Sequence, residues 1–210
     1  MSYLDSSLLH YVDDLSARLP APGGGSAAAL AAALGSALDS MVLNFTVGNE
    51  KCRAVENEAK KYLAKSEQLR KRLIELVQAD VAAYGKLAGA YKMPKSTPEE
   101  QKKRAEEIQT ALKASVQIPG QLIELASEVL NLSRDILPVG NPNLVSDTGV
   151  AVSLAWAGME SGLLNVEINL RSIKDAEFCS EMRNKIKPLI AEGKKIKEQV
   201  FEEVYRRIVS

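Results

Sequence analysis

The sequence predicts an all-α fold, a single-domain multi-helix bundle over residues 1–210 built from long amphipathic helices. Three observations point there. Alanine, leucine, lysine and glutamate dominate, and these side chains lose little rotamer freedom in a helix. Apolar residues recur in steps of three and four over long windows. No strand-period alternation and no internal repeat interrupts them. Hydrophobic residues make up 46% and charged residues 26% of the 210 positions, a globular balance with enough chain for one sizeable core.

The elements follow in order. Leu8, Leu9, Val12, Leu15 and Leu19 share helical spacing, which predicts a first helix over roughly residues 5–18, stopped by Pro20 and Pro22. Ser26 is the expected N-cap of a second helix reaching about residue 48. That helix is packed with small residues, among them Ala28, Ala32, Gly35 and Ser36, so it is expected at the centre or at a subunit contact. Residues 50–91 form a long amphipathic helix with at most one break, apolar at Val55, Tyr62, Leu69, Leu73, Leu76, Tyr84 and Leu87. Thr97-Pro98-Glu99-Glu100 announces the next helix with a capping hydroxyl, an N1 proline and a capping-box glutamate. Pro119 and Gly120 are expected to divide that region in two. Ser146 or Asp147 caps a mostly uncharged helix to about residue 171. The last helix covers 175–209, with Pro188 as a kink point. The total is about six to eight helices.

Charge and composition exclude several functions. Twenty-seven basic and twenty-seven acidic residues cancel, leaving no global field for nucleic acid or an anionic membrane. Cys52 and Cys179 lack metal-ligand spacing and read as free thiols of a reducing compartment. The N-terminal residues lack a signal-peptide pattern, and Asp39 with the preceding proline–glycine loop argues against a membrane span. The cytoplasm is the expected location. His10 is the single histidine, which leaves neither a zinc site nor a serine–histidine–acid triad in view. The lysines near Lys60, Lys102 and Lys194 alternate with glutamates as solvated helix faces.

Three features break the apolar pattern. Asp80 falls in the core-facing register of Leu69, Leu73, Leu76, Tyr84 and Leu87. A carboxylate there must be paired, hydrogen-bonded or raised in pKa, and it is either a general acid–base or the cap of a helix break. Ser161, Asn165 and Asn169 lie four apart on one face. Their amides and hydroxyl suit a heterocycle with mixed hydrogen-bonding edges, or else an interhelical polar contact. Pro22, Gly23, Gly24, Gly25 and Ser26 precede a helix start, where backbone N–H groups can converge on a ligand. The loop has neither the lysine of a phosphate-binding loop nor a preceding strand.

Together these residues resemble a known family. Pro20-Ala21-Pro22-Gly23-Gly24-Gly25-Ser26-Ala27-Ala28-Ala29 is similar to the opening motif of the cyclodeaminase domain of formiminotransferase-cyclodeaminase. That family also contains stand-alone bacterial methenyltetrahydrofolate cyclohydrolases. Leu76-Val77-Gln78-Ala79-Asp80, the Met93-to-Glu100 segment, Gly140-Asn141, Ser146-Asp147 and Asn165-Val166-Glu167-Ile168-Asn169-Leu170-Arg171 match in family order. The resemblance implies an all-helical homodimer acting on folate, with no cofactor beyond the tetrahydrofolate substrate and no metal. It implies Asp80 as the catalytic acid. It also implies a folate site drawn from Pro22, Gly23, Gly24, Gly25, Ser26, Lys95, Asn141, Asp147, Asn165, Asn169 and Arg171. Asn165 and Asn169 would orient the pterin or the one-carbon bridge, while Lys95 or Arg171 would hold the glutamate tail. One departure stands out. The family's acidic segment can carry further carboxylates, whereas Val81, Ala82 and Ala83 follow here, so a second carboxylate would come from Asp147 or Glu160.

The expected reaction is hydrolysis of 5,10-methenyltetrahydrofolate to 10-formyltetrahydrofolate, preferred because no formiminotransferase segment accompanies the chain. Cyclodeamination of formiminotetrahydrofolate with release of ammonia is the close alternative. A non-catalytic helical dimerisation protein is the alternative of another class.

Overall fold

Periodicity, caps and breakers set six α-helices among the described residues: α1 (Leu8–Ser16), α2 (Gly24–Asn44), α3 (Glu56–Tyr91), α4 (Pro98–Ile136), α5 (Val145–Leu170) and α6 (Ala176–Val209). The structure, a computed structural model, describes residues 2–210, and no strand occurs among them. Short 3-10 turns at Tyr3–Asp5, Glu50–Val55 and Pro142–Leu144 lead into α1, α3 and α5.

The centre is an antiparallel pair, α2 against α5. Gly24 lies beside Asn165 at one end, and Gly35 beside Ala151 and Ala155 towards the other. Their backbones touch. A Cβ on Gly35 would sit 2.7 Å from the Ala151 carbonyl oxygen, and one on Gly158 would sit 2.7 Å from that of Ala28. The small-residue run therefore permits close approach rather than merely favouring helix. α3 packs on α2, and α4 lies behind against α3, α5 and α6. Leu43, Leu73, Leu130, Ile136, Met159 and Ile186 are fully buried where these helices meet, each stabilising the fold by about 1.5–3 kcal/mol through loss of apolar surface. α2 is long and apolar enough to cross a membrane, but most of it is enclosed by its neighbours and it serves as the core helix.

Several sequence expectations hold in detail. Thr97 and Glu100 close the reciprocal capping box, with Pro98 at the helix start. The last helix begins where expected, at residue 176, with Asp175 accepting from the Phe178 N–H at 3.0 Å as its N-cap. α3 runs unbroken through Asp80, so that residue caps no break.

Others are corrected. Gly23 is the N-cap of α2, and no side chain caps it. Ser26 lies inside the first turn, fully buried, its hydroxyl 3.1 Å from that of Tyr11. Pro119 and Gly120 do not divide the chain, because α4 continues through both. An interior proline costs about 3 kcal/mol, and burial of the surrounding Leu112, Val116, Leu122 and Ile123 on both sides of it offsets that cost. Leu144 occupies the N-cap of α5, leaving Ser146 and Asp147 in its first turn. The apolar stripe of α1 also behaves unexpectedly. Leu8, Leu9 and Val12 face solvent, and only Tyr11 is buried.

Candidate active site

Asp80 projects from the middle of α3 towards the first turn of α2. The fit is tight, since a Cβ on Gly25 would lie 2.2 Å from Asp80 Oδ1. Glycine is required here by space and not by conformation. Burial pushes the Asp80 carboxyl above the usual carboxylate value, the Ser26 backbone N–H opposes that rise, and no cation stands beside it to cancel it. The Ser26 hydroxyl is held in turn by Tyr11. The Tyr11 phenol is raised chiefly by its own burial, and the negative charge of Asp80 adds to that rise. The start of α2 thus grips the carboxylate from one side and leaves the other facing a cavity.

That cavity, of about 290 Å³, is lined by Gly23, Gly24, Gly25 and Asp80, by Tyr84 and Leu87 further along α3, by Ser115 of α4, and by Asn165, Ile168 and Asn169 of α5. The two asparagines are fixed along their own helix. Asn165 Nδ2 donates to the Ser161 carbonyl and Asn169 Nδ2 to the Asn165 carbonyl, both at 2.8 Å. A Cβ on Gly24 would meet the Asn165 amide at 3.8 Å, an ordinary contact. The pocket therefore combines one desolvated acid, two immobilised amides and a glycine rim.

Ala83 and Ser115 also line a second, larger groove of about 680 Å³ between α3 and α4. Half of its lining is alanine, from Ala79 to Ala90 on one side and Ala111 to Ala114 on the other, with Lys86, Met93, Glu107 and Ile118. From residue 79 to residue 90 the α3 wall extends about 17 Å at the helical rise. The pocket and the groove adjoin at Ala83 and Ser115, and Asp80 lines the pocket.

The site predicted from sequence is thus partly assembled. Asp80, Gly23, Gly24, Gly25, Asn165 and Asn169 converge. Pro22 is buried behind the rim through a cis Ala21–Pro22 peptide, and Ser26 acts through its backbone rather than by lining the cavity. Lys95 lies exposed in the α3–α4 loop, and Arg171 is exposed at the C-cap of α5, two residues beyond Asn169. Asn141 caps the turn before α5 and donates through Nδ2 to the Phe45 carbonyl. Asp147, in the first turn of α5, stands about 27 Å along the helix from Asn165. Glu160 is exposed. Neither Asp147 nor Glu160 lines the cavity, so Asp80 is its sole carboxylate. Ser115, Ile168 and the groove with Lys86 were missed from sequence. They stand on helices whose periodicity was read correctly, yet nothing in that pattern says which pairs of faces leave a gap.

Residues 7–188 match the family model described as formiminotransferase-cyclodeaminase. The methenyltetrahydrofolate cyclohydrolase of Methylorubrum extorquens is 40% identical over 94% of this chain and 95% of that protein. The formimidoyltransferase-cyclodeaminase of Rattus norvegicus is 36% identical over 92% of this chain, which spans only 36% of the rat protein's length. Among solved structures, formiminotetrahydrofolate cyclodeaminase from Thermotoga maritima superposes with a TM-score of 0.82 at 29% identity, covering 98% of this chain and 97% of that one.

Proposed function

The chain belongs to the formiminotransferase-cyclodeaminase family, and from that premise we propose that it is a folate one-carbon enzyme that hydrolyses 5,10-methenyltetrahydrofolate to 10-formyltetrahydrofolate. The observation that carries this reading is the single half-buried, raised carboxylate of Asp80 facing a cavity walled by two fixed amides. The near-full-length match to a cyclohydrolase favours water over an amine-releasing reaction. The similarity to a solved cyclodeaminase supports formiminotetrahydrofolate cyclodeamination as the second reading.

Hydrolysis needs a proton taken from water and one given to nitrogen. Water adds to the cationic bridge carbon and forms a C–O bond as Asp80 accepts one of its protons. The tetrahedral adduct then collapses, the C–N5 bond breaks, and Asp80 returns that proton to N5. The remaining hydroxyl proton leaves to solvent as the formyl carbonyl forms, so one proton is released per turnover. A raised carboxyl pKa brings the acid closer to neutral pH and improves it in both roles. In this reading the Asn165 and Asn169 side-chain oxygens accept from the pterin and the second proton of each amide is left to donate to it, since one proton of each serves the helix. The alanine-walled groove takes the aminobenzoyl ring, and Lys86 faces the tail carboxylates. In this reading the enzyme is a homodimer, as the family resemblance implies, and works in the cytoplasm, where its two buried free thiols would stay reduced.

Following loss of methenyltetrahydrofolate absorbance in water tests the first reading, and ammonia release from formiminotetrahydrofolate tests the second. Turnover of neither substrate by the folded wild-type protein would refute both.

A further inference from the structure

Helix α1 buries a single side chain, Tyr11, and that side chain ends in a hydroxyl. The hydroxyl lies 3.1 Å from that of Ser26, which is fully buried. A phenylalanine would fill the same slot on α1, and an alanine would suit the same place in alanine-rich α2. The two hydroxyls are instead taken out of water, which costs free energy unless they pair. Tyr11 is braced in turn. Tyr3 stands edge-on to it, with ring centroids 5.4 Å apart. The Tyr3 N–H donates to Gln78 Oε1 at 3.0 Å, and its phenol donates to Asp14 Oδ2 at 2.8 Å. The contacts close a circuit. They leave α3 at Gln78, pass through Tyr3, Tyr11 and Ser26, and return to α3 at Asp80, where the Ser26 N–H meets the carboxylate.

We propose that Tyr11 is a positioning residue for Asp80, its phenol holding the first turn of α2 so that the Ser26 N–H stays on the carboxylate. The proposal deepens the reading of Asp80 as the proton carrier and rests on it. Tyr11 does not line the cavity, so it acts through Ser26 and not on a substrate. The same turn carries Gly25, packed so closely on Asp80 that a Cβ would overlap it. A small shift of that turn therefore moves the acid as well as its N–H. Around the carboxylate, α2 brings glycines and Ser26, α3 brings Tyr84, α4 brings Ser115, and α5 brings Asn165 and Asn169. Lys86 lines only the adjoining groove. Tyr11 is thus the titratable group that α1 brings to this side of Asp80. Without its hydroxyl the carboxylate loses a nearby dipole and a firmly held N–H, so its charged form is less favoured.

A double-mutant cycle over Tyr11→Phe and Ser26→Ala tests this, read by two separate measurements. One is turnover of the folate that wild type accepts. The other is the Asp80 titration in the free protein, followed by carbon-13 NMR of labelled carboxyls and assigned by the signal missing from Asp80→Asn. Tyr11→Phe should lower kcat about three- to tenfold with KM within about twofold. It should also move the Asp80 midpoint up by about half a pH unit or more. Ser26→Ala should do the same, and the double variant should do no more than either alone, because all three break one contact. An unchanged kcat and midpoint in Tyr11→Phe overturn the proposal. So does a fall in Tm that moves neither, which marks a residue that only stabilises the fold. Losses that add in the double variant overturn it too. The titration needs no substrate. A wild type that turns over neither folate would therefore refute the enzymatic reading, while the midpoints of the cycle still decide whether Tyr11 sets the carboxylate.

Discussion

Asp39 and Asp80 are two aspartates set among apolar helices, and burial raises both. Asp39 is wholly enclosed between α2 and α4, with Oδ2 2.8 Å from Ser133 Oγ and Oδ1 without a hydrogen-bond partner. The Ser133 hydroxyl also stands 3.0 Å from the Val129 carbonyl. The Ser133 hydroxyl donates to Asp39 Oδ2, so the buried carboxyl is a polar clamp between helices. Asp80 meets the same desolvation but has a backbone N–H on one side and a cavity on the other. Desolvation raises an acid, and access decides whether its proton can be used.

That contrast can be broken most severely at Asp80. Asp80→Asn keeps the shape and removes the proton carrier, and turnover should fall by about 10²–10⁴ with the helical circular dichroism unchanged. A variant within a few fold of wild type would remove Asp80 from the chemistry. The acidic limb of the wild-type pH–rate profile should also lie above the ordinary aspartate value of about 4, because the folded pKa is raised. Gly25→Ala comes next. Its methyl would overlap Asp80 Oδ1, so kcat should drop about tenfold or more by misplacing the acid, and the pH limb should move. An unchanged profile would mean that the carboxylate gives way freely.

The smallest catalytic effect belongs to Asp39→Asn, which should leave kcat within about twofold. Its signature is in stability. A folded pKa above the unfolded one means the native state keeps a proton that the unfolded chain releases above about pH 4. Stability is then full below that point and declines as pH rises towards the folded value. The lowered carboxylates Glu56, Glu67, Asp175 and Glu203 are ionised in both states above pH 5 and add no slope there. Wild type should lose Tm as pH rises from 5 to 8, because the folded Asp39 pKa is raised. Asp39→Asn should lose less, keeping only the part that the raised Asp80 contributes, and an equal slope in both proteins would place the titrating group elsewhere.

Six helices were legible because apolar spacing and caps such as Thr97 are local signals. Pro119 misled because its local cost is overridden by packing on both sides, which a single strand of text does not display. Ser26 misled in the same way, since a good capping residue was drawn inside by its bond to Tyr11. Of the site, Asp80 and the asparagine face stood out as polar residues in apolar registers. Ser115 gave no such signal, because a serine on a long helix is unremarkable until the helix opposite is placed. Asp39 was read only as an argument against a membrane span. In a helix of small residues no apolar stripe is sharp enough to show that one slot is sealed.

The touching backbones of α2 and α5 have a consequence for how such a pocket can change. The glycine rim is carried by one of these helices and the asparagines by the other, and Gly35 and Gly158 leave no room for even a methyl between them. The gap between those two walls is a fixed gauge. No side-chain exchange at the α2–α5 contact can widen it by degrees. Adaptation to a bulkier or longer substrate would fall to the α3 and α4 walls, at Tyr84, Leu87 and Ser115, and a selection for altered substrate size should draw its variants from those positions.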